Sequence, residues 1–194
     1  MGEVLGICGS SRKNESNTAR IMEEILKATG KSCELVWLCD PNINFCTGCL
    51  KCFSDPSVKG VCWQQDDMEG LIQKMLNCKA LVLGSPTMYG NVSGRMKNFF
   101  DRSIGIDSRG IGPEKKLEGH GRSPMAGRPA ALVTVAGGGD QQKTAANMHI
   151  FMDYEDLDIV GEIAEAVGFT DVRENKEIMG RARKLGEEIG KKIR

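Results

Sequence analysis

Three short apolar runs constrain this chain more than anything else in it. Val-Leu-Gly-Ile-Cys (4–8), Ala-Leu-Val-Leu-Gly (80–84) and Ala-Ala-Leu-Val-Thr-Val (130–135) each break off into a loop of Gly, Ser, Thr or Asn. Each loop leads into residues with helical spacing. Apolar runs this short, without polar alternation, read as strands covered on both faces. Strands that alternate with helices imply βαβ units, hence an α/β class and a parallel sheet with helices on both faces. Right-handed crossovers then bring the loops after the strands to one rim, where ligands of open α/β sheets sit.

The other elements fill in this plan. Residues 33–38 and 157–163 read as two further strands. Residues 18–28, 68–77, 93–103, 141–151 and 176–193 read as helices, with Asp66 and Asp67 as caps for the second. A length of 194 residues suits one domain spanning 1–194. Residues 45–65 form an irregular cysteine-rich loop, and residues 104–124, rich in Gly and charge, form a surface excursion. The 26 basic and 26 acidic residues balance, which gives no reason to expect nucleic acid or an anionic membrane as partner. The N-terminus lacks the basic flank and long apolar core of a signal peptide, and no run is long enough to cross a bilayer. The expected location is the cytoplasm, where thiols stay reduced.

Two of the loops carry ligand chemistry. Residues 9–18 present backbone N–H groups, hydroxyls and Arg12 at the start of a helix, which is an anion site. The Gly-Lys-Ser/Thr of a P-loop and the Gly-x-Gly-x-x-Gly of a dinucleotide fingerprint are both missing, so a phosphate monoester fits better than a pyrophosphate. An ordinary N-cap loop is the alternative. The loop at 85–91 places an aromatic ring, a glycine and an amide at a strand's exit, suited either to a flat ring system or to covering a neighbouring helix.

Two residues separate Cys46 from Cys49 and Cys49 from Cys52, and nine separate Cys52 from Cys62. The repeated two-residue gap matches ferredoxin-like iron–sulfur ligation better than the separated pairs of most zinc sites. A disulfide network is the least suited to a reducing compartment, and zinc stays open as the alternative. The gap before Cys62 is long; Asp55-Pro56 and Gly60 allow the chain to loop out, and Cys39 is a substitute fourth ligand. Cys8, Cys33 and Cys78 read as small buried hydrophobes. His120 and His149 read as surface or packing residues.

Gly9-Ser10-Ser11-Arg12, Ser16-Asn17-Thr18, the run from Gly84 through Pro86-Thr87-Met88-Tyr89-Gly90-Asn91 to Gly94, and Met96-Lys97-Asn98-Phe99-Phe100-Asp101-Arg102 together resemble the flavodoxin-like NADPH-dependent FMN reductases. With the four cysteines, the chain resembles the iron–sulfur flavoproteins of that superfamily. The resemblance implies a flavodoxin-like, five-stranded parallel sheet with an added cluster-binding loop. It implies FMN phosphate binding by Ser10, Arg12, Ser16, Asn17 and Thr18. It implies an isoalloxazine lined by Pro86, Thr87, Met88, Tyr89, Gly90 and Asn91 and approached by Ala136, Gly137, Gly138 and Gly139. A [4Fe–4S] cluster would sit on Cys46, Cys49, Cys52 and Cys62. The family precedent is a homodimer or homotetramer that takes electrons from a donor such as ferredoxin and passes them to dioxygen, peroxide or a quinone-like acceptor. No side chain is needed as general acid or nucleophile. An NAD(P)H-dependent reductase without a cluster and a zinc-stabilised binding module are the rival expectations.

Overall fold

Five strands form one parallel sheet in the order β2-β1-β3-β4-β5. They are β1 (Val4–Cys8), β2 (Cys33–Trp37), β3 (Ala80–Pro86), β4 (Pro129–Ala136) and β5 (Asp158–Ala166). The computed structural model describes residues 2–55, 57–58, 60–106 and 123–193. The helices are α1 (Asn17–Ala28), α2 (Lys51–Ser54), α3 (Met68–Asn77), α4 (Gly94–Ser103), α5 (Gln141–Tyr154) and α6 (Lys176–Lys192). The strand order is that of a flavodoxin-like fold, with its switch point between β1 and β3.

Period-two alternation sorts the side chains between two cores. Val4, Cys8, Val82, Ala131 and Val133 pack with α1 and α6 on one face. Leu5, Ile7, Leu81, Leu83 and Leu132 pack with α3, α4 and α5 on the other. Each fully buried aliphatic side chain is worth about 1.5–3 kcal/mol, so this two-sided burial is the main source of stability. Helix starts follow their caps. Ser16 accepts from the Ala19 N–H, Ser93 from Met96 and Asn175 from Ile178. Asp67 stands at the N-cap of α3 without a side-chain cap bond; Asp66 instead accepts from the Met68 N–H.

Several boundaries differ from the sequence reading. β3 runs on to Pro86, because Pro86 still pairs with Val135 and the Thr87 N–H bonds the Val135 carbonyl. β5 extends to Ala166 and α5 to Tyr154. β5 lies at the sheet edge, where Glu162 and Glu165 interrupt the apolar pattern that marks a buried strand. Cys8 and Cys78 are buried as expected, but Cys33 is exposed. It opens the other edge strand, and its thiol donates to the Leu26 carbonyl. Ile106 and Ser123 are buried, so the ends of the 104–124 segment are anchored in the body of the protein. Residues 107–122, His120 among them, lie outside the described residues. His149 pairs with Glu162.

α6 lies close on α1 through glycines. A Cβ at Gly186 would stand 2.2 Å from the Ile25 carbonyl oxygen, and one at Gly190 would stand 2.2 Å from that of Thr29. A Cβ at Gly180 meets nothing within 4 Å. Gly186→Ala is therefore expected to destabilise the chain by about 1–3 kcal/mol, through overpacking against backbone. Gly180→Ala is expected to stabilise it by about 0.5–1 kcal/mol. Urea unfolding of the two variants measures the contrast.

Candidate cofactor site

A knot of serines joins the loops on either side of the switch point. Ser85, fully buried in β3, accepts from the Ser93 N–H at 2.9 Å and donates to the Pro86 carbonyl at 3.0 Å. The Ser93 hydroxyl donates to the Gly9 carbonyl at 2.8 Å, and the Gly9 N–H bonds the Gly84 carbonyl at 2.7 Å. The end of β1, the end of β3 and the start of α4 are thereby fixed to one another.

The loop after β1 curls around the N-terminus of α1. Ser10, Ser16 and Thr18 are buried there. Arg12 is exposed and stands 3.9 Å from Glu15. Asn17 is differently engaged: its amide donates to the Thr170 carbonyl and accepts from the Val172 N–H, tying α1 to the segment before α6. Arg95, which the sequence reading did not select, reaches the same loop. Its Nε donates to the Ser11 hydroxyl at 3.1 Å. A basic residue two positions after the cap of the next helix is the signal that could have found it.

After β3, Met88 and Asn91 pair across a tight turn. Both central residues have positive φ, 51° at Tyr89 and 71° at Gly90. This is the conformation of a type I′ turn, which normally takes Asn-Gly or Gly-Gly. A tyrosine held in the left-handed region is strained by about 1 kcal/mol. The outcome is a ring thrown fully into solvent beside a half-exposed Met88. Thr87 behaves oppositely: its hydroxyl is buried with no hydrogen-bond partner among the described residues, as is the side-chain carbonyl of Gln141.

The loop after β4 completes the rim. Ala136 is buried and Gly137 and Gly138 are exposed. A Cβ at Gly137, Gly138 or Gly139 would meet nothing within 4 Å, so protein packing does not require glycine there. The turn at 88–91 lies against the start of α5, since a Cβ at Gly90 would approach Lys143 and Asp140. The three loops thus share one edge and leave open space beside Gly137, Gly138 and Gly139 and an unpaired hydroxyl at Thr87.

The cysteine loop hangs from α4. Asn98, four residues before Arg102, lies on the same helix face. Its amide donates to the Ile43 and Asn44 carbonyls and accepts from the Cys46 N–H. Arg102 donates to the Asn44 carbonyl at 2.6 Å and grips both carboxylate oxygens of Asp66 at 2.7 and 2.9 Å. Both side chains of that ion pair are 1% exposed. Burial works against ionising Asp66, but bonds from Arg102, Asn44 and Met68 outweigh it and hold the carboxyl below its ordinary range. Breaking such a buried pair costs about 3–5 kcal/mol.

The thiols of this loop are neighbours. Burial pushes the Cys52 thiol up, and the charges of Cys62, Cys46 and Cys49 push it further. Cys49 is exposed, and its pKa is lowered by the Lys51 N–H first, then by Thr47, with Trp63 contributing. The Trp63 indole N–H donates to the Cys49 sulfur at 3.1 Å. Cys62 lies beside the Arg102 guanidinium. Cys39 donates instead toward its neighbour Asp40, at 3.7 Å. Among the described residues, no group of three or more His, Cys, Asp or Glu is closed to metal-holding geometry. The four sulfurs share one electrostatic field without forming a finished tetrad.

Residues 3–162 match the model of the family described as NADPH-dependent FMN reductase, a span that contains every residue named above as a candidate ligand. The chain belongs to that family. It is similar to an iron-sulfur flavoprotein of Archaeoglobus fulgidus, 31% identical over 193 residues, covering 96% of this chain and 78% of that protein. A second iron-sulfur flavoprotein of that organism is 39% identical over 104 residues, 52% of this chain, and the match spans only about half of the relative, 48%. Among solved structures, an FMN-dependent NADH-azoreductase from Bacillus anthracis, in complex with FMN, superposes with a TM-score of 0.63 at 14% identity, covering 98% of each chain. At that identity the likeness shows the fold alone, and the fold is flavodoxin-like. No helix among the described residues is long and apolar enough to cross a membrane.

The thiol environments differ enough to order their reactivity. Cys49 combines exposure with a lowered pKa, so more of it is thiolate at neutral pH. Burial holds the Cys8 thiol up at about 12. Iodoacetamide labelling of cluster-free, reduced protein at neutral pH, followed by peptide mapping, is expected to modify Cys49 before Cys52 and to leave Cys8 unmodified until the protein unfolds.

Proposed function

We propose that the chain is an iron–sulfur flavoprotein, a flavin-dependent oxidoreductase of the cytoplasm. In this reading it binds FMN on the rim and a [4Fe–4S] cluster through Cys46, Cys49, Cys52 and Cys62. It takes electrons from a one-electron donor such as ferredoxin and delivers them to a small-molecule acceptor: dioxygen, peroxide or a quinone-like compound. The observation that carries the proposal is the joint suspension of both sites from α4. Its N-cap Ser93 ties the loops after β1 and β3, and its last turn holds the cysteine loop. Nine residue steps along a helix separate these anchors by about 14 Å.

The residues present fit both groups. For FMN, the buried unpartnered Thr87 hydroxyl and the open space beside Gly137, Gly138 and Gly139 suit a flat polar ring. The helix start behind Ser10, Ser16 and Thr18 suits its phosphate. Arg95 joins Arg12 as a basic residue for that phosphate, and Asn17 serves the loop's shape through its own backbone bonds. For the cluster, the donor set is four thiols in one field, with N–H groups already directed at two sulfurs: Gly48 at Cys46 and Trp63 at Cys49. FMN supplies one- and two-electron exchange and the cluster one-electron exchange, so the protein's part is position, burial and hydrogen bonding.

Oligomerisation belongs to the same reading. Phe45, Leu50, Trp63, Met88 and Tyr89 are large side chains on the cysteine loop and the turn after β3, all more than half exposed. A second copy that covers them would make a homodimer or homotetramer and dry the cofactor rim.

A second reading, an NAD(P)H-dependent FMN reductase without a cluster, is favoured by one observation: the described thiols are not closed into a metal site. Anaerobic purification with flavin, iron and acid-labile sulfide analysis separates the two. The iron–sulfur reading expects one FMN and about four iron and four sulfide per chain. Cys49→Ala is expected to lose the iron and sulfide and keep the FMN. Stoichiometric FMN without iron in the anaerobic wild type supports the cluster-free reductase.

A further inference from the structure

Arg102 has one nitrogen left over. Its two terminal nitrogens serve Asp66 and the Asn44 carbonyl. Its Nε is buried and has no hydrogen-bond partner among the described residues. An N–H donor buried without a partner is costly, and few native groups are left so. The Cys62 side chain lies beside this guanidinium. Cys62 and Arg102 line the same small pocket with Gly60, Met68, Ile72 and Ile106. The bidentate carboxylate fixes the guanidinium plane, so Nε cannot turn elsewhere.

A second donor addresses a different sulfur of the same loop. The Trp63 indole N–H lies 3.1 Å from the Cys49 sulfur. Lys51 stands over the Trp63 ring, its ammonium 5.5 Å from the ring centre. A cation over an indole face draws electron density toward itself and makes the N–H a better donor. Trp63 is the residue directly after Cys62, so the Cys62 segment supplies one ligand and a donor to another.

Resting on the iron–sulfur reading, we propose that Arg102 Nε and the Trp63 indole are built-in donors to two cluster-ligand sulfurs, Cys62 and Cys49, and that they set the reduction potential of the bound cluster. Reduction adds one electron and makes the cluster with its thiolates one unit more negative. No bond forms or breaks, and both donors keep their protons. A fixed cation and an N–H dipole aimed at sulfur stabilise the more negative form more, so they raise the potential. Their removal therefore lowers it. The Cys62 donor has the larger effect, because it is charged and shielded from water, whereas Trp63 is half-exposed. The long gap before Cys62 acquires a reason: the chain must loop out far enough to return its last cysteine to a guanidinium on α4.

The test is a dye-mediated redox titration of anaerobically prepared holoprotein, followed by EPR of the reduced cluster, on wild type, Trp63→Phe and Arg102→Lys. FMN per chain serves as the measure of folding. Arg102→Lys keeps the charge but loses the planar fork and Nε. It is expected to shift the one-electron reduction equilibrium against reduction by about tenfold, about 59 mV lower. Loss of iron from this variant with FMN retained reports the lost grip on Asp66 and the Asn44 carbonyl, and Trp63→Phe then decides. If Arg102→Lys fails to fold and loses FMN, the surface variant Trp63→Phe decides alone, with an expected shift of about threefold in the same direction. Potentials of both variants equal to wild type, with iron and FMN intact, overturn the proposal and leave the iron–sulfur reading standing. A wild type that holds FMN but no iron overturns both, before any variant is compared.

Discussion

One face of α4 holds the cofactor rim together. Arg95, Asn98 and Arg102 recur at intervals of three and four, so they form a single polar row along the helix. Arg95 reaches the Ser11 hydroxyl and the Leu38 carbonyl, behind β1 and β2. Asn98 and Arg102 take the carbonyls and the N–H of residues 43–46, and Arg102 closes on Asp66 just before α3. Met96 and Phe99 meanwhile fill the core beneath the sheet. The loops on this side are irregular and have few backbone partners of their own. Side chains of one rigid helix supply those partners, which lets a cysteine-rich loop keep a defined place with only the single turn of α2 as its own secondary structure.

The two ends of this helix serve different chemistry. At its start, the serine knot of Ser85, Ser93 and Gly9 locks the switch point, where an α/β sheet receives its ligand. At its end, a buried ion pair holds the segment that carries the sulfurs. In the proposed reading one short, stiff element places both electron-carrying groups, and small displacements at either end are opposed by the same core. The strained turn at Tyr89 and the exposed Phe45, Leu50 and Trp63 point outward from this edge. In the proposed oligomer, a second copy covers that face.

Much of this was legible in the sequence, for identifiable reasons. The central strands are buried on both faces, so β1, β3 and β4 appear as plain apolar runs. The edge strands β2 and β5 carry one exposed side, so the apolar pattern marks only part of β5 and does not reveal that the thiol of Cys33 lies open. The candidate ligands stand out where residue type alone announces chemistry, as in the three cysteines with two residues between each and the next. What escaped was the support. Asp66 reads from sequence as a helix cap, and its stronger role as the partner of Arg102 depends on a contact across 36 positions. Asn98 and Arg95 look like ordinary polar residues of an amphipathic helix until the loops they hold are brought next to them. Asn17 shows the converse: its place in a phosphate-like loop is plain, but its amide turns toward residues more than 150 positions away.

The central claim is that α4 holds the cysteine loop through side chains. The Cys46 N–H, whose partner is the Asn98 side-chain carbonyl at 3.3 Å, reports on it directly. Site-resolved hydrogen exchange of this amide in wild type and Asn98→Leu is the measurement. The account predicts protection of Cys46 in wild type comparable with the amides of α4, and its loss in the variant while the amides of β1 and β4 stay protected. Exchange of the wild-type Cys46 amide at the rate of an unstructured peptide would contradict it.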